Sequence, residues 1–337
     1  MRIAVDAMGG DFGPKAVVPG ALRAAEDFGI DILLVGLENA IRREVDRSGL
    51  RTSRITVIDA PEAIGMGESV LAFRKKKASS IRVGAQLVKD GRADAFVSMG
   101  NTGAVVFISR EVMGSLKGVD RPGLALLVPG IGGQTLLIDV GANANCQPHN
   151  LVQFAVMGKI FMEAIAGLPE PRIGLMSIGE EKGKGNDLVR QAFDRLQASP
   201  LRFIGNVEGK DLFSGAADVI VSDGFTGNIA LKVSEGVVES VMSMARHEIT
   251  KNIFAKLGYL LLKRHLKKIF KKVDYSEYGG AQLLGVAGVC IIGHGRSTPV
   301  AVRNAILRAR EFVVNRVQEK IQTEILRYEH ALKGVNA

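Results

Sequence analysis

Short β-branched and aliphatic runs recur along the chain, each closed by glycine and small polar residues and followed by a helix-compatible stretch. Ile3 to Val5 leads into Gly9, Gly10 and Asp11 with Pro14; Ile32 to Val35 leads into Gly36; Ile55 to Ile58 leads into Asp59 and Pro61. Ala95 to Val97, Thr135 to Ile138, Ile173 to Ile178, Val219 to Val221 and Val289 to Ile292 repeat the pattern. Apolar strands alternating with helices predict a three-layer α/β/α fold around a mostly parallel sheet. In such a sheet the loops at the carboxyl ends of the strands open on one edge, so the polar loops are expected to converge. Apolar positions at Val302, Ile306, Ala309, Val313, Val317 and Ile321 predict one closing helix from Pro299 to about residue 330. No linker composition interrupts the chain. The organisation expected is one catalytic unit of two packed lobes: about 1–145 plus 297–337, and about 146–296 including a segment at 250–273.

Composition alters this picture only through charge. The 337 residues carry 44 Lys+Arg and 35 Asp+Glu, a net charge of +9. Eight of the bases lie between residues 249 and 273 with no acid among them, so the remainder is close to neutral. At helical angular steps Phe254, Leu257, Leu260 and Leu261 share one face, whereas Leu262, Leu266, Ile269 and Phe270 share another rotated by roughly 160°. Two short amphipathic helices with a break near 261–263 are expected, with Lys267 and Lys268 among the flanking bases. An apolar face beside a cationic one suits the surface of an anionic membrane. Packing against the protein core with a solvated basic side is the other reading. Nucleic acid fits less well, because the patch lacks interleaved aromatics. The chain shows no signal-peptide core, no apolar run near the roughly 18 residues of a spanning helix, and no Cys pair at metal or redox spacing. A cytoplasmic location is expected.

Glycine-rich strand-to-helix turns offer backbone N–H groups to oxyanions, but tight turns need glycine for steric reasons too. Five of these loops also carry Asn, Thr, Asp or Lys: Gly9, Gly10 and Asp11; Asn101, Thr102 and Gly103; Asn143; Gly183, Lys184, Gly185 and Asn186; and Asp223, Gly224, Thr226, Gly227 and Asn228; a sixth holds His294 between Gly293 and Gly295. Lys184 is the most pointed cation, although Lys182 beside it carries the same charge. His294 stands at a strand end, where packing or capping is as good an account as binding. Cys146 reads as an incidental thiol. No P-loop, dinucleotide fingerprint, nucleophile elbow or H-E-x-x-H occurs.

Asp6 to Asp11 with Pro14, Ser98 to Gly103, Asp139 to Asn143, Glu180 to Asn186, Ser222 to Asn228 and Gly293 to Gly295 together resemble, in order, the signatures of the bacterial acyl carrier protein:phosphate acyltransferases. That resemblance spans nearly the whole chain. It implies a phosphotransacetylase and isocitrate-dehydrogenase-like fold, a homodimer, and no metal or other cofactor. The reaction implied converts an acyl thioester of acyl carrier protein and inorganic phosphate into an acyl phosphate for phospholipid synthesis, with a glycerol-3-phosphate acyltransferase as acceptor of the product. Functional Lys and Asn residues of the family match Lys184 and Asn228. Phosphate is itself an anionic nucleophile, so such a site needs positioning and oxyanion stabilisation rather than a serine or cysteine relay. Two further classes stay open from residues alone. One is a metal- and NAD-dependent decarboxylating dehydrogenase of similar fold; the other is a noncatalytic membrane or nucleic-acid binding protein.

Overall fold

A computed structural model describes residues 1–50, 52–251, 258–264 and 279–335. The first half runs β1 (Arg2–Asp6), α1 (Pro14–Phe28), β2 (Asp31–Gly36), α2 (Glu38–Ser48), β3 (Ile55–Asp59), α3 (Val70–Lys75), α4 (Ser80–Lys89), β4 (Ala95–Ser98) and α5 (Thr102–Met113). A hairpin of β5 (Gly123–Gly130) and β6 (Gly133–Ile138) precedes α6 (Pro148–Ile165), β7 (Ile173–Met176), α7 (Asp187–Gln197), β8 (Phe203–Val207) and β9 (Val219–Val221). The 28-residue α8 (Gly224–Lys251) follows, then a helical stretch α9 (258–264), β10 (Ala281–Leu284), β11 (Val289–Ile292), α10 (Pro299–Val314) and α11 (Val317–Val335).

All eight runs singled out in the sequence are strands. They join β5, β8 and β10 in one sheet of order β3-β2-β1-β4-β11-β10-β5-β6-β9-β7-β8. Neighbouring residues on a strand point to opposite faces, and both faces are covered. Ile3 and Val5 of β1 face the layer that holds α1, α6 and α10, whereas Ala4 faces the layer that holds α4 and α5. Ala95 and Val97 against Phe96 in β4, and Val219 and Val221 against Ile220 in β9, repeat the division. The result is the expected α/β/α sandwich.

Seven of the described pairings are parallel, and the three antiparallel ones fall together: β11 with β10, β10 with β5, and β5 with β6. Three successive reversals leave β6, β9, β7 and β8 running opposite to β1 to β4 and β11. The carboxyl ends of the two halves therefore point to opposite edges of the sheet. The polar loops do not open on one edge, as the alternating pattern predicts, but form two groups.

Two helical expectations also change. The closing segment is two helices, because Asn315 caps α10 through its amide donation to the Glu311 carbonyl (2.9 Å) and Arg316 adopts φ +50°. Residues 258–264 are helical without the expected break at 261–263. Leu260, Leu261 and Leu262 are all more than half exposed, so no packing partner forces the helix to choose one apolar face. Phe254, Leu257, Leu266, Lys267, Lys268, Ile269 and Phe270 lie outside the described residues.

Candidate active site

The first loop group is built on a buried carboxylate at the end of β1. Asp6 Oδ2 accepts from Ser98 Oγ (2.7 Å) and Oδ1 from the Met8 N–H (3.1 Å), while Ser98 Oγ accepts from the Gly100 N–H (3.0 Å). Burial pushes the Asp6 carboxyl above its ordinary pKa, against the pull of these donors. A side chain at Gly9 would place Cβ 2.6 Å from Gly100 N, so only glycine permits the β1 and β4 loops to touch. The Asp11 N–H donates to the Gly295 carbonyl (2.7 Å) and brings in the β11 loop. Gly9, Gly10, Asp11, Asn101, Thr102, Gly103 and His294 belong to this group. Asn101 caps α5 by accepting from the Ala104 N–H (3.0 Å) and donates to the Met66 carbonyl (2.6 Å). Thr102 and Gly103 precede the first helical hydrogen bond of α5, so their N–H groups have no partner within the helix. Burial lowers the pKa of His294, with Lys232 and Arg296 adding to that and Glu235 and Asp11 opposing it.

The second group is built on Asp139 at the end of β6, also buried. Its Oδ1 accepts the N–H groups of Leu124, Gly141 and Ala142 at 2.9–3.0 Å, and its Oδ2 accepts Asn143 N (2.7 Å) and Nδ2 (2.9 Å). Asn143 Nδ2 also donates to the Pro122 carbonyl (2.7 Å). On this base rests the start of α8. The Gly224 N–H donates to the Asn143 carbonyl (2.8 Å), those of Phe225 and Thr226 to Asp223 Oδ1 (3.0 and 2.9 Å), and that of Gly227 to the Asp223 carbonyl (2.9 Å). Thr226 Oγ1 donates to Asp223 Oδ2 (2.7 Å). Gly224, Thr226 and Gly227 thus have every N–H of the first turn engaged, and Asp223 is the cap. The side chain this turn presents is Asn228, which is exposed and stands over the Gly141 backbone.

β7 lies beside and parallel to β9, so the loop that holds Gly183 to Asn186 and the start of α8 leave from neighbouring strand ends. Asn186 caps α7 through the Val189 N–H (2.9 Å), and the Gly185 carbonyl accepts from Arg190 (3.0 Å). The backbone N–H of Lys184 donates to the Glu181 carbonyl (3.0 Å), which also accepts from Asn206 (2.9 Å). The two lysines of this loop separate clearly. Lys182 is tied to α7, donating to Gln197 (2.9 Å), pairing with Asp194 (3.2 Å) and lying 5.5 Å from the centroid of the Phe193 ring. The ammonium of Lys184 has no hydrogen-bond or ion-pair partner among the described residues, and its stem lies against Gly179. Exposed apolar residues, Ile178 and Phe225, border the two loops.

α8 connects the groups. Asn228, Lys232, Glu235 and Glu239 lie along one flank, a span of about 16 Å at the rise of a helix. At its far end Glu239 pairs with Arg296 (3.5 Å) beside His294. Asn228, Lys232, Glu235 and Glu239 thus form a polar floor that begins in the first turn of α8 and ends at Arg296 beside His294. Cys146, below the second group, has its thiol pushed up to about 11 by burial and then by the Asp139 charge, so it stays protonated at neutral pH. Asp6 and Asp139 are the residues on which both groups hang, and sequence reasoning does not place them in the site. Each opens one of the motifs that carry the family resemblance, and each is an acid that closes an apolar strand before small residues.

The architecture is that of the phosphotransacetylase type of α/β/α enzyme. A phosphotransacetylase from Streptococcus pyogenes superimposes with a TM-score of 0.60 over 93% of this chain and 94% of its own, at 21% identity. A 4-hydroxythreonine-4-phosphate dehydrogenase from Klebsiella pneumoniae matches at 0.51 with 15% identity, covering 93% of this chain and 99% of its own. One fold thus serves different chemistries, and does not select between them. The sequence does select. The family model described as fatty acid synthesis protein matches residues 1–320, and the chain belongs to that family. The phosphate acyltransferase of Geobacter sulfurreducens is 47% identical over 340 residues, 99% of this chain and 98% of that one. The chain is an enzyme of the acyltransferase class.

Proposed function

We propose that this enzyme makes an acyl phosphate from inorganic phosphate and an acyl thioester of acyl carrier protein, in the cytoplasm, and that the product goes to a glycerol-3-phosphate acyltransferase for phospholipid synthesis. The reading rests on the unengaged Lys184 ammonium in the loop after β7 and on the exposed Asn228 amide in the first turn of α8, which follows the neighbouring strand β9. A phosphate oxygen attacks the thioester carbonyl, the tetrahedral oxyanion collapses with loss of the carrier thiolate, and the proton of the hydrogen phosphate goes to that thiolate. Lys184 holds the phosphate and the developing charge. Asn228, fixed by the Asp139 and Asp223 network, orients the carbonyl. Ile178 and Phe225 offer an apolar edge to the acyl chain. The first loop group and the α8 flank take the extended carrier arm, so the substrate spans both loop groups. No metal or cofactor enters the scheme.

Ile229, Val233, Val237, Val241 and Met244 form the outer face of α8, each 47–62% exposed, and a second copy of the chain is the partner proposed for it. The exposed leucines of α9 and the neighbouring bases are proposed to rest on an anionic membrane. The catalytic assignment is tested by trapping acyl phosphate with hydroxylamine, with and without phosphate. Lys184→Ala is expected to lower phosphate-dependent turnover by about 100-fold or more, whereas Lys182→Ala stays within about twofold. Activity of Lys184→Ala within about threefold of the parent would remove Lys184 from the transition state.

A further inference from the structure

From Val70 to Lys89 the chain carries Arg74, Lys75, Lys76, Lys77, Arg82 and Lys89 and no acid. Two of these bases are structural. Lys76 donates to the Ala63 carbonyl and to Glu68, both at 2.6 Å, and Arg82 pairs with Glu111 of α5 at 2.5 Å. Arg74, Lys75 and Lys77 are exposed and make no salt bridge among the described residues; Arg74 rests 5.4 Å from the centroid of the Phe107 ring. Glu111 is held below the usual carboxylate range by Arg82 first, and Lys77 and Arg74 add to the effect. Their field therefore extends over the α3–α5 surface. Leu71 stands on the same short helix and is 69% exposed.

This face adjoins the crevice. The segment leading into α3 is bound to the first loop group through Met66, whose carbonyl accepts from Asn101 and whose side chain lies over Gly295. A macromolecule seated on α3 would thus stand at the end of the α8 floor opposite Lys184. We infer that Leu71, Arg74, Lys75 and Lys77 form the docking surface for an acidic carrier protein that delivers the acyl thioester. The inference rests on the acyl-carrier reading above. One exposed leucine ringed by bases suits a small acidic helical partner, because charges at a rim steer association while a single apolar contact seats it. A lipid surface is met better by the three consecutive exposed leucines of α9.

The test compares the parent enzyme with Lys75→Glu plus Lys77→Glu. The substrates are the acyl thioester of acyl carrier protein and the same acyl group on N-acetylcysteamine, and carrier binding is followed by fluorescence anisotropy. A loss of about tenfold or more in kcat/KM and in affinity for the carrier only, with a flatter salt dependence, is the expected result. Equal losses on both substrates, or none with the carrier, would overturn the inference, as would a loss of binding to anionic vesicles with carrier affinity unchanged. Lys75→Gln plus Lys77→Gln repeats the comparison if charge reversal lowers the melting temperature. Absence of acyl phosphate from the parent enzyme would refute the proposed reaction, whereas the anisotropy comparison would still judge the surface.

Discussion

Asp139 gives neither of its carboxylate oxygens to solvent. The five hydrogen bonds it accepts tie β5, the 141–143 turn and Asn143 into one unit, and Gly227 rests directly upon it. A Cβ at residue 227 would come within 2.0 Å of the Asp139 carbonyl oxygen, which cannot be relieved by a side-chain rotation. Gly227→Ala is therefore expected to cost about 1–3 kcal/mol of stability, read as a lower melting temperature, and to displace Asn228 so that kcat falls more steeply than KM rises. At this scale the sequence does not separate the duties of residues within a loop. Asn and Asp just before a helix are capping signals as much as binding signals, and Asn101, Asn186 and Asp223 prove to be caps. Lys182 and Lys184 carry equal charge on either side of Gly183, and only the proximity of α7 tells them apart.

Among the elements, the eight strands that precede helices were legible because unbroken apolar runs bounded by glycine have few other readings. β5, β8 and β10 were not, since the first leads into a hairpin and two of the three pair only in antiparallel fashion, outside the strand-then-helix rhythm. α8 shows the same limit. It is apolar on its inner and outer faces and polar on one flank, so no single stripe announces it. The outer face makes its own prediction. Val237→Glu plus Val241→Glu is expected to turn a dimer into a monomer in analytical ultracentrifugation, because like charges would be buried across a symmetric contact. A monomeric parent enzyme would remove that role from α8.

For the whole molecule, the local count of charge separates a basic segment, of which the structure describes residues 249–251 and 258–264, from a nearly neutral body. Lys251 already pairs with Glu248 (2.5 Å), which leaves the leucines as the apolar contribution. Leu260→Glu plus Leu261→Glu is expected to abolish sedimentation with anionic vesicles while soluble turnover stays within about twofold, since neither residue reaches the crevice. Unchanged sedimentation would refute the membrane role. The reversal of strand direction at the middle of the sheet was not legible, because it depends on which strands neighbour one another, and three of the pairings involved come from strands the pattern did not reveal.

That central seam also bears on how the protein is made. β4 is flanked by β1 on one side and β11 on the other, and β11 lies at residues 289–292, near the end of the chain. During synthesis at about 5–20 residues per second, the edge formed by Ala95 to Ser98 emerges about 10–40 seconds before its permanent neighbour. For that interval a fully apolar strand offers unpaired backbone to any passing chain. The β4 edge thus stays open in the nascent protein until β11 has been made, long after β4 itself.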